Sequence, residues 1–360
     1  GEPQAYCVVP GPGFLNTTAA LSTAYALNAP VLALVGQIPT GAQGKGHGLL
    51  HEIPDQIGIL ERLTKTSHRV TGGEDAARHM VEAFTSLVSG RPQPVGLEIA
   101  VNLWTQAVTA EIGDLAPPGR PAPVVDSDVI ERAASMIAAA RAPMIVVGGG
   151  AQDDSGLVRQ LAARIGAPAV AFRTGHGVIP SDDPHSIGMP VAHSLWPDTD
   201  LVIGLGTRLQ SQVMSWGHDA DMKIIHIDID ETQIGRSAPV DVGIHARLRD
   251  ALPHLVRAVD AGAAPNADWL TRIADAKARR AGEYAQRLGP QIAWLGAIRD
   301  VLLDGSQPAY LKMYRQADVP LRRLSARNGF LASFPRFALE AIGMIGIILL
   351  GGFLVLERGS

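Results

Sequence analysis

The chain has 360 residues, of which 46% are hydrophobic and 18% charged, and it carries a net charge of -4. That composition suits two or three folded domains with a large apolar core. The charge balance, with no Lys/Arg cluster to oppose it, gives no reason to expect nucleic acid as a partner. The single cysteine, Cys7, excludes an internal disulfide framework and fits a reducing cytoplasm.

The chain opens on "GEPQAYCVV", with neither an initiator Met nor a secretory signal, and reads as cut at its front. "AYCVV" predicts a strand, in which Cys7 is expected to be a buried structural thiol rather than a nucleophile. Gly11, Pro12 and Gly13 then make a tight turn that lets a ligand approach the backbone. "TTAALSTAYALNA" predicts a helix and "PVLALVG" a strand. Gln37 follows that strand end, either as a polar group pointing into a cleft or as a cap. His47, His51 and Glu52 lie in the Gly-rich loop "GKGHGLLHEIPDQ"; either histidine is placed to shuttle protons near neutral pH or to sit on the surface. "GEDAARHMVEAFTSLVSG" predicts a helix stopped by Gly90, and "QPVGLEIAVNL" a strand.

"GDLAPPGRPAPVVDSD" is dense in Pro and Gly and reads as a linker. A second alternating unit follows it. Helix "SDVIERAASMIAAARA" leads to strand "PMIVVGGG", helix "DSGLVRQLAARIG" and strand "APAVAFRTG", then to strands in "DLVIGLGTRL" and "KIIHIDID". Continuous apolar strands alternating with helices predict parallel sheets covered by helices on both faces. Gly148, Gly149 and Gly150 end one strand, where backbone can meet a phosphate or flavin, although they do not form a Gly-x-Gly-x-x-Gly fingerprint. Arg208 follows another strand, Asp228 ends "IIHID" where a carboxylate can take a ribose hydroxyl, and Asp241 follows in a loop. No residues are assigned as metal ligands. "DAGAAPNAD" reads as a second linker before the polar helix "WLTRIADAKARRAGEYAQRL" and "IAWLGAIRDVLLDG".

This order of segments resembles the thiamine-diphosphate enzymes of the acetolactate synthase and benzoylformate decarboxylase group. "GPGFLNTTAALSTAYALNAPVLALVGQIPT", "LTKTSHRV", "APMIVVGGGA", "GHGVIPSDDPHSIGM", "TDLVIGLGTRL" and "IIHIDIDETQIG" carry the resemblance from residue 1 to about 305. It implies a partial pyrimidine-binding domain over 1–108 and a central Rossmann-like domain over 125–260. Residues 261–305 would then be a linker and the start of a diphosphate-binding domain.

The resemblance further implies that Gly11, Pro12, Gly13 and Asn16 lie against the aminopyrimidine ring of the cofactor. The family's activating glutamate sits on a helix before that turn. Glu2 is too close to the turn to be its equivalent, so no catalytic residue is assigned beyond the candidates His47, His51 and Gln37. The Mg²⁺ and diphosphate of the family are held by a Gly-Asp-Gly turn that this sequence does not contain; Asp304-Gly305 in "LLDGSQ" does not match it. Acetolactate synthases commonly carry Phe and Gln near His47 and His51, so the histidines point to another substrate. In the family the central domain holds FAD, ADP or nothing, through Gly148, Gly149, Gly150, Arg208, Asp228 and Asp241 here. The Gln and Ser of "LQSQV" stand where FAD-binding relatives have Asp and Arg.

The implied activity is that of a lyase or transferase acting on a small 2-oxo acid, working as a dimer or tetramer in the cytoplasm, and inactive in this chain alone. A nucleotide-binding module without catalysis is the alternative. Residues 306–360 break the pattern. Pro335, Arg336 and Glu340 before an apolar run to Leu356 resemble the transmembrane part of ABC exporters. A membrane-associated helix over 337–356 is expected, joined to the body by a fused or misassembled reading frame, which leaves a transporter fragment as a third reading.

Overall fold

A computed structural model describes residues 2–107, 121–219, 221–259 and 265–289. Residues 1–280 form one compact unit that holds two parallel sheets. A second unit, 281–360, is described only over its first residues, the end of a helix.

The first sheet is built from β1 (Gln4–Val8), β2 (Val31–Gln37), β3 (Thr66–Val70) and β4 (Val95–Ala100), in the order β1-β2-β4-β3, all parallel. Its helices are α1 (Pro12–Leu27), α2 (Gln56–Leu63) and α3 (Gly73–Val88). Helix α1 begins on Pro12, whose fixed φ and missing N–H suit a first helical position. It ends at Asn28, which adopts the left-handed conformation (φ 60°) that closes helices. Phe14, Leu21, Ala33, Val35 and Leu60 pack on one face of the sheet, and Leu32, Ala83, Leu87, Val95 and Leu97 on the other. Strand β4 is buried along its whole length, as an interior strand of a covered parallel sheet must be.

Strand β1 forms the edge of this sheet, and Cys7 is exposed on it. The expectation of a buried thiol is therefore corrected. An apolar run buries its side chains only where helices cover both faces, and β1 is largely open.

The second sheet comprises α4 (Ser127–Ala139), β5 (Pro143–Val147), α5 (Ser155–Ile165), β6 (Ala169–Ala171), β7 (Ser186–Ile187), α6 (Met189–Leu195), β8 (Leu201–Leu205), α7 (Gln210–Trp216), β9 (Lys223–Asp228), β10 (Val242–His245), α8 (Leu248–Val259) and α9 (Ala267–Leu288). The strands are parallel and run in the order β10-β9-β8-β5-β6-β7. Two apolar clusters cover the sheet's faces. One gathers Ile145, Leu161, Ile203, Ile225 and Leu252, the other Met144, Val202, Ile224, Trp196 and Trp269. Trp269 also donates its indole N–H to the Pro143 carbonyl at 3.0 Å. With Ile273 and Ala276 it carries this core past residue 260 into α9.

The sequence expectation of parallel α/β sheets matches this architecture. The apolar tail over 337–356 lies outside the described residues. Among the described residues, no helix is long and apolar enough to cross a membrane.

Candidate functional site

The strand order of the second sheet reverses direction between β5 and β8. Loops leaving the carboxyl ends of two such strands run to opposite sides, which opens a crevice for a ligand. Gly148, Gly149 and Gly150 leave β5 there, and Gly206, Thr207 and Arg208 leave β8. The Gly148 N–H donates to Leu205 O and the Gly150 N–H to Gly206 O, both at 3.1 Å. A Cβ on Gly148 would stand 2.3 Å from Gly206 O, so glycine is required for this approach.

The crevice encloses about 400 Å³ and is lined by Gly149, Gly150, Thr174, Thr207, Arg208 and Asp228. Arg247 and Arg249 reach it from the start of α8, and Asn28 and Arg91 from the first sheet. Asp228 ends β9 and accepts from the Asp230 N–H at 2.9 Å. Burial pushes its carboxyl above the ordinary range. Two residues earlier, His226 donates Nε2–H to Thr207 O at 2.7 Å, and burial lowers its pKa. Arginines, a glycine turn without side chains and a buried carboxylate around a cavity of this size suit a sugar-phosphate ligand.

Arg208 is also tied to the first sheet. It donates Nη2–H to Ala26 O at 2.9 Å and to Asn28 Oδ1 at 3.3 Å. Arg91 donates Nε–H to the same Asn28 oxygen at 2.9 Å and Nη1–H to Asp230 at 3.2 Å. Asp241 belongs elsewhere. It accepts from the Ile224 N–H, pairs with Lys223 at 3.3 Å, and lines a separate cleft with Asp200, Leu201 and Val242 at the amino ends of the strands.

At the first sheet, the Gly11 turn is buried against the chain itself. A Cβ on Gly11 would lie 2.6 Å from His51 O, and the Gly11 N–H donates to Gln56 Oε1 at 2.9 Å. Pro12 and Asn16 face outward and are exposed. Gln37 does not project into a cleft. It is buried and donates to Glu98 Oε1 at 2.8 Å, while its own Oε1 accepts from the Ile38 N–H. Gln56 donates to the same Glu98 oxygen at 3.1 Å and to Gly36 O at 2.9 Å. Arg69 pairs with the other Glu98 oxygen. His51 reaches the turn through its backbone, and His47 is exposed in its loop.

Glu98, Gln56, Arg69, Asn28 and Arg91 were thus missed by sequence reasoning. Only Glu98 had a visible signal, a lone charge inside the apolar run "PVGLEIA".

Comparison with known proteins finds relatives for both parts of the chain. Residues 1–59 match the family "Thiamine pyrophosphate enzyme, N-terminal TPP binding domain", and residues 130–255 match "Thiamine pyrophosphate enzyme, central domain". Acetolactate synthase isozyme 1 large subunit of Escherichia coli is 30% identical over 283 residues, covering 76% of this chain and 50% of that protein. Probable 2-ketoarginine decarboxylase AruI of Pseudomonas aeruginosa is 28% identical over 318 residues (84% and 54%). Probable acetolactate synthase large subunit of Methanocaldococcus jannaschii is 30% identical over 295 residues (77% and 49%). The chain carries the N-terminal and central domains of a thiamine pyrophosphate enzyme and is homologous to acetolactate synthase large subunits. It spans about half the length of the curated relatives it matches.

Proposed function

We propose that this chain belongs to a thiamine-diphosphate-dependent enzyme that cleaves or joins a carbon–carbon bond beside the carbonyl of a 2-oxo acid. The similarity to acetolactate synthase over 283 residues, with the family matches at 1–59 and 130–255, carries this reading. Thiamine diphosphate, when bound, supplies the stabilised carbanion that such chemistry needs. The residues toward it are the exposed Pro12 and Asn16 at the start of α1, with Gly11 fixed behind them by Gln56. Glu98 is fully buried and paired with Arg69, so its task is to orient Gln56 and Gln37 rather than to exchange protons with a ligand.

The central crevice takes a nucleoside diphosphate, the moiety shared by ADP and FAD. Asp228 accepts from a ribose hydroxyl, while Arg247 and the neighbouring arginines hold the phosphates over the Gly149–Gly150 turn. No proton-transfer residue is assigned in this chain. The 360-residue polypeptide alone is therefore proposed to bind nucleotide without turning over 2-oxo acids.

Calorimetric titration of the full chain with ADP, with FAD and with thiamine diphosphate plus Mg²⁺, beside a pyruvate turnover assay, tests this. ADP or FAD should bind, and Asp228→Asn should weaken that binding. Failure of both nucleotides to bind would remove the crevice assignment. Turnover of pyruvate would overturn the proposed inactivity.

A further inference from the structure

A cluster on the outer edge of the first sheet lies outside both the Gly11 turn and the central crevice. Strand β3 is the edge opposite β1, and α3 packs beside it. His68 stands in the middle of β3. On α3, Asp75, His79 and Glu82 follow at spacings of four and three, which places them on one stripe. The sheet-facing side of that helix is apolar, with Met80, Ala83, Phe84 and Leu87 in the core, so the polar stripe runs along its border.

The geometry there is specific. The two imidazole rings stack with centroids 5.1 Å apart and 28° between planes. Glu82 Oε2 lies 3.1 Å from His79 Nδ1 and 3.7 Å from His68 Nδ1. One donor atom from each of the three residues lies within 4.8 Å of the others. A carboxylate–imidazole hydrogen bond accounts for one histidine and leaves the second without a reason to face the same oxygen.

We propose that His68, His79 and Glu82 bind a divalent transition-metal ion of the zinc class, joining β3 to α3. Ligands at 2.0–2.1 Å in a tetrahedron stand about 3.3 Å apart, and the nitrogen–oxygen separations of 3.1 and 3.7 Å bracket that value. Two imidazoles and a carboxylate are a donor set that zinc accepts, with water at the fourth position. Arg78 holds the other Glu82 oxygen at 3.0 Å, which leaves Oε2 to face the histidines. On the far side of that ring from Glu82, His79 Nε2 accepts from Arg78 Nη2 at 3.2 Å with Asp75 3.6 Å away; with a metal on Nδ1 the Nε2 proton returns, and Asp75 is the carboxylate near enough to take it. Glu82 is 41% exposed, so an ion can enter from solvent. None of this depends on the catalytic reading.

The test uses the full chain, stripped with chelator and titrated with Zn²⁺ by calorimetry and with Co²⁺ by visible absorption. The variants are His68→Gln and Glu82→Gln, each checked for folding by circular dichroism, with a His47→Gln/His51→Gln double variant as the control for other histidines. One Zn²⁺ should bind per chain. Each cluster variant should lose at least about tenfold in affinity, as even outer-shell changes at metal sites do. The loop variant should bind as the parent does. The absence of saturable zinc binding, or affinity kept within tenfold in either folded cluster variant, overturns the proposal. Glu82→Gln changes an exposed side chain, so it stays informative if His68→Gln does not fold.

Discussion

Glu98 shows how one residue organises a strand end. It is fully buried at the register position between Arg69 on β3 and Val35 on β2, and four groups depend on it directly or through Gln56. Glu98→Leu should cost about 3 kcal/mol, because two buried amide donors lose their acceptor at roughly 1–3 kcal/mol each. Arg69 is 40% exposed and turns to water, so it adds little. Glu98→Gln keeps an acceptor of the same shape and should cost clearly less. Urea denaturation of the two variants measures the difference, and equal losses would mean the network has no such role.

His226 sets a pH dependence at the same scale. Burial holds its pKa below the ordinary value, and the Thr207 carbonyl and Asp228 oppose that shift without reversing it. The folded chain then binds fewer protons than the unfolded one. The stability this site confers is complete above the unfolded value of about 6.5 and is lost as pH falls below it. His226→Gln keeps a donor for Thr207 and should flatten the stability profile between roughly pH 7 and pH 5. An unchanged slope would show that another group titrates there.

At the scale of elements, the end of α1 is what ties the two sheets together. Asn28 is at once the left-handed stop of the helix and the acceptor of both Arg91 and Arg208. The two roles separate by mutation. Asn28→Gly keeps the backbone conformation and deletes the acceptor, and should cost about 1–2 kcal/mol through two partly buried charge-assisted bonds. Asn28→Ala keeps a Cβ in the left-handed region but loses asparagine's tolerance of it, which should put it about 1 kcal/mol below the glycine variant. Thermal unfolding should rank parent, glycine variant and alanine variant in that order. A glycine variant as stable as the parent would show that the arginines find other partners.

Elements with continuous apolar runs were legible in the sequence. Strands β2, β4, β5, β8 and β9 are buried on both faces, and burial on both faces is what writes such a run. Strand β3 was hidden as a strand because "TSHRV" is an edge segment with mostly half-buried side chains. The short β7, α6 and α7 carry too few residues for a period to show. Gly148, Gly149, Gly150, Arg208 and Asp228 could be singled out because strand ends announce them, and the fold gathers them at one end of the second sheet. Asn28 and Arg91 could not, since only the fold brings them beside Arg208. The same limit hid the His68–His79–Glu82 cluster, whose members come from a strand and a helix that no local pattern joins. Asp241 is set apart from the other candidates by its place in the fold. It precedes β10 and so falls at the amino end of the sheet, away from the crevice.

For the compact unit as a whole, stability is unevenly shared between the two sheets. The second sheet is closed on both faces by large clusters that reach from Ile130 to Ala276. The first sheet has three smaller clusters and an edge strand whose side chains are largely exposed, with Val9, Leu15, Tyr25 and Leu27 open beside it. Apolar burial contributes roughly 25 cal/mol per Å², so the better covered sheet should also be the last to open. Native-state hydrogen exchange should therefore find the slowest amides in β5, β8 and β9 and the fastest strand amides in β1. Because the crevice borders Leu27 and Asn28 as well as Gly149 and Asp228, bound ADP should slow exchange at the end of α1 together with the β5 and β8 loops. In Asn28→Gly, protection by ADP should remain at the loops and shrink at α1. Exchange in β1 as slow as in β5 would refute the ranking of the sheets. ADP protection confined to the second sheet would refute the link through Asn28.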